Sequence, residues 1–132
     1  SPCKNLNACF TKFNDSALTI YMEKGSYPAT DNCGQKFVGN SFALIASNGS
    51  ASIDCDHTAV AISFEANSGA TTAQINLTNI NIMKGSGTNG GALSFSGLTV
   101  KVTLTVVNCS FVNNTASGNG GALDLTGVTQ SE

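Results

Sequence analysis

Two stretches of this 132-residue chain repeat each other: residues 86–97 read SGTNGGALSFSG and residues 117–127 read SGNGGALDLTG. Features unrelated to glycine share the same interval. Ala61, Ala92 and Ala122 open the runs AISF, ALSF and ALDL at steps of 31 and 30. Asn48, Asn79 and Asn108 recur at steps of 31 and 29, and Ile53, Ile82 and Phe111 at steps of 29 and 29. Three independent series on one period near thirty define a repeat architecture rather than an isolated glycine loop.

The content of each repeat narrows the choice. Short runs rich in Val, Ile, Thr and Phe alternate between apolar and polar residues and are bounded by Gly, Asn and Ser, which is a strand-and-turn pattern. One early segment, NLNACFTKFNDS, reads as a short helix. A propeller blade needs roughly 40–45 residues and four antiparallel strands, and a leucine-rich horseshoe needs a leucine ladder that is missing here. The remaining solution is an all-β, right-handed parallel β-helix with about 30 residues and three short strands per coil, like residues stacking on like. The first sheet takes VAISF, GGALSF and GGALDL, the second FALIA, QINLT and TLTVV, and the third SID, INI and CSFV. A single domain, 1–132, then divides into an N-terminal cap and first coil with a long loop (1–40), regular coils (41–127) and an open C-terminal end (128–132), where chain is missing or another molecule sits.

Each recurring residue acquires a mechanical job on this reading. Gly90-Gly91 and Gly120-Gly121 turn the chain into the first sheet, with positive φ that glycine adopts cheaply. Asn48, Asn79 and Asn108 take left-handed backbone at a bend and form an inner, inaccessible amide ladder. Among five cysteines, Cys33 and Cys55 fall at matching places one coil apart and are paired, Cys3–Cys9 closes a small ring, and Cys109 is a buried free thiol aligned with Ile80. Spacing cannot prove those pairings. Asn-x-Ser/Thr acceptors occur at Asn14, Asn48, Asn76, Asn108 and Asn113, of which Asn113, Asn14 and Asn76 are the expected glycosylation sites.

The pairing of GGAL with a preceding Phe-x-x-Asn, here Phe111 to Asn114, resembles the polymorphic outer membrane protein repeat of chlamydial-type surface autotransporters. Both elements stand together in the last coil; the coil before has Ile82 to Gly85 in the Phe-x-x-Asn place, and the resemblance spans about residues 75–127. It implies a surface-exposed β-helix that works in adhesion or as a scaffold, and it supplies no catalytic residues.

Composition points the same way. Charged residues are 11% of the chain, well below the roughly 25% of ordinary soluble domains. All six basic residues are lysines, so the bidentate arginines of phosphate and nucleic-acid recognition are missing. No apolar run approaches a bilayer span. The tempting acid–base cluster Asp54, Asp56 and His57 sits where aspartates ordinarily cap turns, and with one histidine no metal site is expected. The expectation is a non-enzymatic, cofactor-free structural or adhesion protein of the extracellular space or cell surface. It carries N-linked glycans, associates with itself end to end as a fibre subunit and meets a host or cell-surface ligand. The competing readings are a carbohydrate-binding or carbohydrate-active, pectin-lyase-like β-helix, and a passenger fragment of an autotransporter.

Overall fold

A computed structural model describes residues 5–12, 17–65, 69–95, 100–124 and 129–131. It is a parallel β-solenoid of about three turns with roughly 29 residues per turn. The first coil runs through β1 (Ala17–Pro28) and β2 (Gln35–Val38), and the second through β3 (Ser41–Asp54) and β4 (Ile62–Glu65). The third contains β5 (Thr72–Thr78), β6 (Ile80–Met83), β7 (Ser86–Gly87) and β8 (Leu93–Ser94). The fourth contains β9 (Lys101–Val107), β10 (Ser110–Val112), β11 (Thr115–Ala116) and β12 (Leu123–Asp124), and β13 (Thr129–Ser131) begins the next turn.

Equivalent residues of successive coils lie beside one another. Phe42 pairs with Ile75 and Ile75 with Leu104; Ile53 pairs with Ile82 and Ile82 with Phe111; Ile62 pairs with Leu93 and Leu93 with Leu123. Strand alternation sends one side chain of each neighbouring pair inward, so every such column becomes a continuous apolar row inside the coil. Phe37, Phe64 and Phe95 build the most massive row, with Phe64 and Phe95 stacked 4.9 Å apart at an interplanar angle of 11°. Phe42 reaches across from the opposite wall to within 5.0 Å of Phe37 and 5.5 Å of Phe64.

The N-terminal end of this core is covered by α1 (Leu6–Lys12). Asn5 starts the helix by accepting the Ala8 N–H at 2.8 Å, an N-cap bond. Leu6 and Cys9 are buried on one side, and Phe10 stacks on Phe42 at 5.7 Å. Buried Asn32 ties the cap to the first coil: its Oδ1 accepts the Leu6 N–H, while its Nδ2 donates to the carbonyls of Pro28 and Thr30. An amide this deep is tolerated because each of its polar atoms has a partner.

Three details differ from the sequence expectation. Residues 35–38 are a strand of the first sheet, not loop: Gln35 and Phe37 alternate inward between Gly34 and Gly39, a run too short to stand out from its flanks. The second and third sheets are one, since β3 continues unbroken past the bend and pairs with β5 on one side of it and β6 on the other. Each of the last two coils also carries a further short strand, β7 and β11, paired Ser86 with Thr115 and Gly87 with Ala116.

Candidate functional site

The corner residues lie where stacking demands them. Gly90 and Gly120 have φ of 78° and 63°, and the chain passes from them into β8 and β12. Gly91 donates its N–H to the Gly121 carbonyl at 2.7 Å, so the two GGA corners are laid directly on one another. Asn79 and Asn108 are left-handed at 58° and 55°, and Asn108 Nδ2 donates to Asn79 Oδ1 at 2.7 Å.

Asn48 does not join that ladder. It lies in an exposed bulge spanning residues 47–50, and Asn79 Nδ2 donates instead to the Ala46 carbonyl at 3.0 Å. The cause is length: Ala51 pairs with Ile80 and Ile45 with Thr78, so β3 has extra residues at the bend and Asn48 is pushed out of line. Asn108 is also exposed, because among the described residues no further coil covers it. The expectation that both asparagines are inaccessible is therefore corrected.

Asn114 has a role that residue spacing alone does not assign. Its Oδ1 accepts the Gly85 N–H at 2.7 Å and its Nδ2 donates to the Ile82 carbonyl at 3.1 Å, so one amide brackets two backbone groups of the coil below. The Phe-x-x-Asn pattern is the signal for it; without a second aligned Asn, periodicity cannot rank it. A second left-handed corner, Lys84 and Asn113 at 56° each, is equally hidden, since lysine is not a residue that announces positive φ.

Cys33 and Cys55 form a disulfide, with their Cα atoms 5.7 Å apart. Cys109 is a free thiol, half-buried rather than buried, with its Sγ 3.3 Å from the Val107 carbonyl and 3.5 Å from the Ile80 N–H. Cys3 and Asn14 lie outside the described residues. Asn113 is exposed at its corner, and Asn76 is half-buried on the outward face of β5.

Beside the disulfide lies an open concavity of about 420 Å³, bordered by the end of β1, the turn after it, and the exit of β3. Ser26 and Pro28 of β1 pair with Ser52 and Asp54 of β3, so these lining residues stand side by side on the outer face of one sheet, with Thr30 and Asp56 in the turns that follow. Asp54 Oδ1 accepts the Asp56 N–H at 2.9 Å, which makes an Asx-turn, and its Oδ2 is 4.0 Å from Lys84 Nζ. An ion pair so long and exposed contributes little. His57 is exposed, on left-handed backbone at 57°, and is not part of the pocket lining. The cluster read from the sequence is thus divided: two carboxylates face a cavity and the imidazole does not join them.

At the C-terminal end of the described solenoid the strands have a neighbour on one side. β10, β11, β12 and β13 each pair on one side within the described residues, with β6, β7, β8 and β9. Val106, equivalent to fully buried Leu77, is 38% exposed there, and Phe111 and Leu123 are half-buried. Among the described residues no helix is long and apolar enough to cross a membrane, which leaves strands out of account. Comparison with protein-family models, curated proteins and solved structures yields no match.

Proposed function

We propose that this chain is a non-enzymatic structural or adhesion protein of the extracellular space or cell surface, built from repeats of the polymorphic outer membrane protein type, and that it associates through the C-terminal face of its solenoid. One observation carries the reading: at that face strand edges and inward columns lack a covering coil among the described residues, while the other end is closed by α1. Unpaired parallel edges beside exposed apolar rows favour strand addition. The Cys33–Cys55 disulfide is compatible with an oxidising setting, and exposed Asn113 and Asn48 are the acceptors offered for N-linked glycans.

The position of α1 shapes the product. Head-to-tail stacking needs both ends free, and here α1 would have to leave. For the 132-residue chain, association through the C-terminal face joins two copies, and the product proposed is a pair rather than a fibre. Light scattering across a concentration series, with electron microscopy of the same samples, tests this. We expect a concentration-dependent dimer that Val106→Lys abolishes; a monomer up to the solubility limit, or long fibres, removes the reading.

A further inference from the structure

The N-terminal face of the solenoid lies under α1, and the strand register gives that face a second use. We infer that it is a docking surface for the C-terminal face of another copy of this chain, and that α1 is the removable plug that keeps it shut. The inference rests on the association reading, since it needs a C-terminal face that joins copies.

Leu18, Phe42, Ile75 and Leu104 form one column from the first coil to the last, and Ile20, Leu44, Leu77 and Val106 a second. Tyr27, Ile53, Ile82 and Phe111 form a third. All three begin and end on apolar residues, so a first coil laid on a last coil continues them with no charge at the joint. Strand direction agrees: copies stacked head to tail meet through parallel strands, the pairing every coil already uses, whereas two C-terminal faces meet antiparallel. The strand β13 fixes the register. Its Ser131 pairs with Thr103, in the column that Gln74, Ser41 and Ala17 complete. From Leu104 onward β9 has, among the described residues, a neighbour only in β5, so a docked β1 starts at Leu18 where β13 stops. Residues 22–24 make a longer bend in β1 than Asn108 makes in the last coil, but β3 already carries a longer one beside Asn79 and absorbs it in the bulge at 47–50.

Few contacts hold α1 in place. Leu6 and Cys9 are buried against the coil, and Phe10 stacks on Phe42 at 5.7 Å. The Leu6 N–H donates to Asn32 Oδ1 at 3.0 Å and the Asn7 N–H to the Asp31 carbonyl at 2.8 Å. No disulfide joins α1 to the coils, because Cys33 and Cys55 bond each other and Cys109 is a free thiol. A helix of seven residues does not persist without such packing, so α1 unfolds once displaced and leaves Leu18 and Phe37 for a new neighbour.

Electron microscopy and light scattering of the full chain carrying Leu6→Asp and Phe10→Asp test the inference, with circular dichroism reporting that the strands are retained. We expect fibres from this variant where the unaltered chain gives pairs, and loss of the fibres when Val106→Lys is added. Unaltered chain mixed in at rising fractions should shorten the fibres in proportion, because its C-terminal face joins a fibre end that its own α1 then closes. Phe10→Ala, a milder change that adds no charge, should give the same fibres at a higher threshold concentration. No fibres from either variant, fibres that Val106→Lys leaves intact, or fibre length indifferent to added unaltered chain would each overturn the plug. Pairs from the unaltered chain without fibres from the variants remove the plug alone. Monomers from the unaltered chain with Val106-dependent fibres from the variants remove the pair alone, so the two failures are distinguishable.

Discussion

Ile82 and Phe111 occupy the same place in consecutive coils, as do Leu77 and Val106, yet their surroundings are unlike. Ile82 and Leu77 have a coil on each side and are fully buried; Phe111 and Val106 have one below and, among the described residues, none above, and both retain contact with solvent. At the opposite end the first coil has, among the described residues, no coil before it, but α1 lies over it and Leu6, Leu18 and Phe37 are buried. In a solenoid, burial is conferred by the next coil rather than by the residue's own strand. Two positions with the same pattern therefore differ in what they contribute to stability, and the difference is measurable.

The largest contrast belongs to the aromatic row. Phe64→Ala removes contacts with Phe37, Phe42 and Phe95 and should cost about 3–5 kcal/mol in chemical denaturation, whereas Phe111→Ala in the last coil should cost less than half of that. Equal losses would mean that something covers the last coil in solution. The glycine corners come next. A Cβ on Gly91 would run into the carbonyl oxygens of Gly121 and Thr115, while one on Gly121 meets nothing nearer than the Asn114 carbonyl at 3.2 Å. Gly91→Ala should destabilise by about 3 kcal/mol and Gly121→Ala by under about 1 kcal/mol, read as midpoint shifts at constant slope.

Removing the disulfide by paired Cys33→Ser and Cys55→Ser substitution should cost about 3 kcal/mol, the loop-closure value for a separation of 22 residues. It should leave the C-terminal face unaffected. The smallest effect tests the amide ladder. Asn79 both donates to Ala46 and accepts from Asn108, so Asn79→Ala should cost about 1–2 kcal/mol and Asn108→Ala about half that; Asn79→Gly should recover the backbone share of the loss.

How much of this was legible depended on whether a feature repeats. The period, the three strand columns and the parallel stacking were readable because Ala61, Ala92 and Ala122, or Ile53 and Ile82, carry the same signal in register. Strand β2 was hidden since its coil deviates from the period, with a long turn before it and no GGA corner. Asn48 is left-handed at 62° as expected, but its place in the ladder misled for a related reason: its spacing from Asn79 counts residues, and a bulge adds residues without adding structure. The candidate pocket was half legible. The chain displays Asp54 and Asp56 together, but Ser26 and Pro28 come from another coil, and only the stacking sets them beside Ser52 and Asp54.

Asn114 fastens its coil backward, to Gly85 and Ile82, and needs no partner from the coil after it. A unit with its clasp on the trailing side can be copied in tandem: an in-frame duplication of residues 86–114 would insert one more storey that arrives with its own latch. We expect such a lengthened chain to fold with a higher melting temperature than the original, so the molecule's height is adjustable by whole floors while its footprint stays the same.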